Sequence, residues 1–167
     1  MLRWRPSSTS TRHTGPFFVC AAGCASGAPA APCCASGMVL IDSSPWIDFF
    51  GGYGSVEGRL LEQWLRDGRP VAISGVIIQE VLQGTRTATD FAVVRARVGR
   101  LPFLRADREA HVEAARLHRA ARGRGWTVPA ADALIAATAL AHGASLLTSD
   151  REHFTALAKV SKLRLAE

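Results

Sequence analysis

Several things are scarce in this 167-residue chain, and each scarcity removes a class of function. No apolar stretch reaches the roughly 20 residues that a membrane-spanning helix requires, so no membrane partner is expected. No cysteine lies beyond Cys34, and a chain of this length buries enough surface to fold without disulfides. The four cysteines (Cys20, Cys24, Cys33, Cys34) lack zinc-type spacing with histidine partners, and the Cys33-Cys34 adjacency is poor chelate geometry. No Gly-x-Gly-x-x-Gly stands between a first strand and a helix. Gly51-Gly52-Tyr53-Gly54 lacks the Lys-Ser/Thr sequel of a phosphate cradle and is expected to be a loop. No nucleophile-elbow serine is present, and His111, His118, His142 and His153 have no serine or cysteine placed to serve them, so they are expected at the surface or core edge. Lysine is limited to Lys159 and Lys162.

Acids are missing from residues 1–37, where Arg3, Arg5 and Arg12 account for half of the net charge of +6. The same residues are rich in Ser, Thr, Ala, Gly and Pro and show no sustained helical or strand period, so they are not expected to pack. The apolar run Phe17–Ala22 behind basic residues faintly resembles a signal peptide. Met38, however, begins a strand at once, and the expected organisation is an unstructured or mis-assigned extension over 1–37 followed by one domain over 38–167, in the cytoplasm. The body is then only mildly basic, which suits a polyanionic partner without establishing one. Arginines are concentrated between Arg86 and Arg124, and Arg116 and Arg119 on a helical pattern are candidate substrate contacts; the plainer reading of that segment is a solvated helix face.

From Met38 onward, apolar periodicity alternates strands and helices, the pattern of an α/β fold with a mainly parallel sheet flanked by helices in three layers. Strands are expected over 38–41, 70–73, 101–104 and 145–148, with 162–165 a candidate for the last. Helices are expected over 45–50 (opened by Pro45), 55–67 (Leu60, Leu61, Trp64 and Leu65 inward), 75–83, 87–98, 107–122, 129–142 (closed by Gly143) and 151–158.

Four acids hold unusual places in this plan. Asp42 ends the first strand and Asp150 follows the strand Ser145–Thr148, and ligands of open parallel sheets bind at the carboxyl ends of strands. Asp150 also suits a helix N-cap. Glu80 borders the apolar face of its helix, and Asp132, although well placed for the dipole of its helix, has Ile135 and Ala136 as neighbours one turn on. Each is weakly informative alone; together they suggest one cluster. Two carboxylates about 6 Å apart at an effective dielectric near 20 repel by roughly 3 kcal/mol, so something positive must sit among them. Hard divalent ions, Mg²⁺ or Mn²⁺, prefer oxygen ligands and serve phosphate chemistry. The expected reaction is phosphodiester hydrolysis.

The segment Met38-Val39-Leu40-Ile41-Asp42-Ser43-Ser44-Pro45-Trp46-Ile47-Asp48 resembles the opening of the VapC-like PIN-domain ribonuclease toxins. Gln79-Glu80-Val81-Leu82-Gln83-Gly84 resembles that family's glutamate helix, Pro129-Ala130-Ala131-Asp132-Ala133-Leu134-Ile135-Ala136-Ala137 its third-acid helix, and Leu147-Thr148-Ser149-Asp150 with Phe154 its last acid motif. The four motifs stand in order and span roughly 38–167. Ser43, where many relatives have Thr, and Pro45 depart from the pattern without removing an acid.

The resemblance implies a PIN-like fold and an endoribonuclease in which Asp42, Glu80, Asp132 and Asp150 are the catalytic residues and hold one or two Mg²⁺ or Mn²⁺ ions, with Thr148 positioning a water or an acid. It also implies a homodimer, a cognate VapB-like antitoxin and a structured RNA substrate. The alternative from another class is a non-catalytic module whose acidic pocket docks a protein partner. A haloacid-dehalogenase-like phosphatase needs a second aspartate where Ser44 stands.

Overall fold

The computed structural model describes residues 37–167; the cysteines and nearly all of the expected extension lie outside the described residues. The chain enters the sheet with β1 (Val39–Ile41), whose three residues are all buried. An unbroken apolar run of this kind suits a strand covered on both faces.

α1 (Ser43–Gly51) begins two residues before the expected start at Pro45. Pro45 is accommodated because the first four N–H groups of a helix have no partner inside it, so a proline in that turn removes no bond. α2 (Val56–Arg66) is capped by Ser55, whose hydroxyl accepts from Gly58 N at 3.0 Å, and it buries Leu61 and Trp64. There follow β2 (Val71–Ser74), α3 (Gly75–Gln83) and α4 (Ala88–Val98), the last capped by Thr87. β3 (Phe103–Leu104) is only two residues long. α5 (Arg108–Arg122), capped by Asp107, carries the arginine-rich stretch. α6 (Ala130–Ala141) ends where expected: Gly143 takes φ 62°, and Ala144 N donates back to Ala139 O at 2.9 Å. That left-handed residue is tolerated because glycine lacks a Cβ. β4 (Ser145–Leu147) and α7 (Arg151–Lys159) complete the elements.

The four strands lie in the order β3-β2-β1-β4, every neighbouring pair parallel. Residues 162–165 do not form the expected strand; they make an isolated bridge, Leu146 to Leu165, at the outer edge of β4. The buried apolar cluster runs from Val39 to Leu163 and draws on the sheet and on helices α1–α7. Because the chain leaves β1 for β2 on one side and reaches β4 on the other, β1 and β4 flank the point where strand order reverses. A crevice opens beyond the carboxyl ends of strands at such a point.

Candidate active site

Asp42 stands at that point, directly after β1. Its backbone N–H donates to Leu147 O at 2.9 Å, continuing the β1–β4 ladder, so the position of its Cα is set by the sheet rather than by a flexible loop. The carboxylate is nearly enclosed, at 5% exposure. Its Oδ2 accepts from Thr148 Oγ1 at 2.7 Å and from Ser44 Oγ at 3.1 Å. Burial pushes the Asp42 carboxyl above its usual range; donation from Thr148, Ser43 and Ser44 pulls it back, and the nearby Asp150 charge raises it further.

Thr148 is buried and uses its hydroxyl twice, donating to Asp42 and accepting from Asp150 N at 2.9 Å. Ser44 likewise accepts from Ser149 N at 3.2 Å. These bonds tie the turn after β4 to the turn after β1. The expectation that Thr148 positions an acid therefore has a direct geometric counterpart.

Asp150 caps α7, its Oδ1 accepting from His153 N at 3.3 Å, as the N-cap reading expected. The same carboxylate also faces the site: its Oδ2 lies 2.8 Å from His153 Nδ1, and Asp132 Oδ2 lies 3.0 Å from the same nitrogen. Asp132 occupies the first turn of α6, after Pro129, with its side chain 16% exposed. Its carboxyl is raised to about 6, first by burial and then by the Asp42 charge, with His153 opposing the rise.

His153 stands at the core edge, as expected, with its side chain 30% exposed. Its Nδ1 is buried between two carboxylates and meets neither with hydrogen-bond alignment. A buried polar atom in that condition is costly unless something else satisfies it. The sequence did hold one signal: once Asp150 is read as an N-cap, a residue three positions on folds back beside it.

Asp132, Asp150 and His153 offer ligand atoms that all lie within 4.8 Å of one another, and Asp42 joins them through Thr148 and through its charge. Three carboxylates and an unaligned ring nitrogen fit a divalent cation, since oxygen donors suit Mg²⁺ and Mn²⁺ and imidazole is acceptable to the latter. Glu80 is half-buried on α3, a helix packed against α1 and α6, and stands outside this close group. Arg116 and Arg119 are exposed on α5, with Arg116 paired to Glu113 at 3.3 Å. His111 and His142 bond to backbone carbonyls of Asp107 and Arg105, in keeping with surface roles.

The family model described as PIN domain matches residues 39–160. The chain is 33% identical over 135 residues to VapC ribonuclease Mb1587 of Mycobacterium bovis, covering 77% of this chain and 98% of that protein. It matches ribonuclease VapC11 of Mycobacterium tuberculosis to the same extent. Among solved structures, VapBC2 from Rickettsia felis, bound to a DNA fragment from its promoter, superposes with a TM-score of 0.64 at 17% identity, over 77% of this chain and 97% of that one.

Proposed function

This chain belongs to the PIN-domain family, and from that premise we propose that it is a divalent-metal-dependent endoribonuclease, the toxin of a VapBC-like toxin–antitoxin pair. The observation that carries the reading is the meeting of Asp132 and Asp150 on the buried Nδ1 of His153, with Asp42 beside them through Thr148 and through its charge, at the carboxyl ends of β1 and β4. Acids from three separate chain segments gain nothing for stability by assembling there, since like charges in a low-dielectric setting repel. A nuclease that cuts phosphodiesters with a divalent ion uses such an assembly to hold it.

Asp42, Asp132, Asp150 and, from α3, Glu80 are the proposed catalytic and metal-holding residues, with Mg²⁺ or Mn²⁺ as the ion. A bound divalent cation supplies positive charge against the phosphate oxygens and lowers the pKa of a coordinated water. The protein's own contribution is positional. Thr148 and Ser44 hold the Asp42 carboxylate in place by donating to its Oδ2. The α7 cap fixes Asp150 in the same way through Oδ1. Arg116 and Arg119 are proposed to contact RNA phosphates away from the acids.

The likeness to VapC ribonucleases and to the VapBC2 complex of Rickettsia felis supports a VapB-like antitoxin partner; a structured RNA substrate, a homodimer, a cytoplasmic setting and a working domain over 38–167 complete the proposal. Among the described residues no helix is long and apolar enough to cross a membrane. The test is cleavage of structured RNA by the full chain in Mg²⁺ or Mn²⁺, with a chelator control and Asp42→Asn beside it. Cleavage lost on chelation and in the variant is expected. Cleavage that survives either change would remove the acid cluster from the mechanism, and no cleavage at all would favour a module that only docks a partner.

A further inference from the structure

A second concavity shares a wall with the acidic site. It is a cleft of about 700 Å³ lined by Gly125, Trp126 and Thr127 on one side and by the α7 residues Arg151, Glu152, His153, Thr155, Ala156 and Lys159 on the other. His153 lines this cleft while its Nδ1 sits against Asp132 and Asp150, so the cleft adjoins the acidic group. Trp126 is half-buried, and two cations attend its ring: Lys159 Nζ lies 5.3 Å and the Arg124 guanidinium 5.8 Å from the ring centre. Arg124 Nη1 also donates to Lys159 O at 2.8 Å, fixing one cation relative to the other. Arg151 adds a third positive charge, against Glu152.

The concavity beside Arg116 has the opposite balance: Asp107, Glu109 and Glu113 line it with Arg116 and Lys162. The charge balance of the first cleft suits a polyanion better than that of the second. An aromatic ring with flanking cations is the combination that binds unpaired nucleotides, because every base has a π-face to stack and every linkage a phosphate to neutralise. Sequence-tolerant stacking of this kind favours single-stranded or splayed-out RNA over continuous duplex.

We propose that the Trp126–Arg151–Lys159 cleft is a subsite for an unpaired nucleotide adjacent to the cleaved bond, its base against Trp126 and its phosphate near Arg151 and Lys159. This rests on the ribonuclease reading above. The subsite selects for unpaired RNA at the acids and places the neighbouring phosphate beside them.

The experiment measures binding of a fluorescein-labelled single-stranded RNA hexamer, and of the same sequence in a duplex, to the full chain in chelator, where no cleavage occurs. Trp126→Leu keeps apolar volume without a ring and is expected to weaken single-strand binding about tenfold; Trp126→Phe keeps a stacking face and should stay within about threefold of the wild type. Lys159→Gln should reduce the slope of log affinity against log salt by about 0.7, the value for one phosphate contact on a single strand. Duplex binding should change little in the Trp126 variants. Because Trp126 packs partly against the core, melting curves accompany each variant, and a folded Trp126→Phe with a folded Lys159→Gln suffices for the comparison. Wild-type affinity for single strands in folded Trp126→Leu and an unchanged salt slope in Lys159→Gln overturn the subsite, as does a wild type that binds no single strand. A parallel Mn²⁺ cleavage assay separates the two readings: cleavage with unaltered variant binding rejects the subsite alone, whereas absence of cleavage with ring-dependent binding rejects the nuclease reading and leaves the cleft supported only as a binding site for unpaired nucleotides.

Discussion

Thr148 Oγ1 donates to Asp42 Oδ2 at 2.7 Å across a separation of 106 residues, joining the turns after β1 and β4 through one buried hydroxyl. The bond does two things at once. It gives an enclosed carboxylate a donor, and through the Asp150 N–H that the same oxygen accepts, it sets the start of α7.

Replacing that hydroxyl by a methyl group of similar size separates the two roles from packing. Thr148→Val should destabilise the fold by about 1–3 kcal/mol, the usual consequence of leaving a buried acceptor short of a donor, and should lower divalent-dependent cleavage about tenfold, by analogy with loss of an outer-shell partner of a metal ligand. Thr148→Ser should restore most of both. Chemical denaturation and initial rates in Mn²⁺ check this; an active, fully stable Val variant would mean that Thr148 is only a strand residue.

Asp132 carries the sharper test because its carboxyl is held near 6, well above its unfolded value. An acid whose folded pKa is raised opposes folding when ionised, so the metal-free protein should gain stability as pH falls from about 7 toward 4. Asp132→Asn should raise metal-free stability at pH 7.5 by roughly 1–3 kcal/mol, and that advantage should vanish near pH 4. Cleavage should be abolished. Melting curves across pH, with and without Mg²⁺, decide the matter; a destabilised but active variant would show that Asp132 serves only its helix terminus.

His153 predicts a preference among ions. Imidazole favours Mn²⁺ over Mg²⁺ more than carboxylate does, so His153→Ala should weaken Mn²⁺ binding about tenfold and Mg²⁺ binding less. Calorimetric titration of the metal-free chain measures both; an equal loss for the two ions would identify Nδ1 as a counter-charge rather than a ligand.

Neutralising Arg116 and Arg119 together to Gln should weaken RNA binding and flatten its salt dependence, by less than two full phosphate contacts because Glu113 already engages Arg116. Affinities over a salt series check it, and an unchanged slope would assign both residues to a solvated helix face.

The fold was largely legible because its cues are local. Val39–Ile41 is continuously apolar, Ser55, Thr87 and Asp107 are side-chain caps, and Gly143 closes α6, each readable within a few residues. The last segment misled because Leu163 and Leu165 have strand-like alternation, yet only Leu165 bridges to β4. At the site, Asp42 and Asp150 were visible at strand ends, where topology alone gives them a place. Periodicity indicates which face Glu80 occupies, not how far its carboxylate reaches, and it stands outside the close group. His153 was missed as a member of that group because its partners come from α6 and from the α7 cap, a meeting that depends on how two helices cross.

The β1–β4 pairing also has a consequence for the order in which the chain is made. The first acid is synthesised with Asp42, but the hydroxyl that holds it and the acid that completes the cluster arrive only with Thr148 and Asp150, after β2 and β3 have emerged. Domains acquire their long-range contacts late, as the distant segments become available. A ribosome-bound nascent chain therefore carries an incomplete acid cluster until the segment with Thr148 and Asp150 has emerged, near the end of its synthesis.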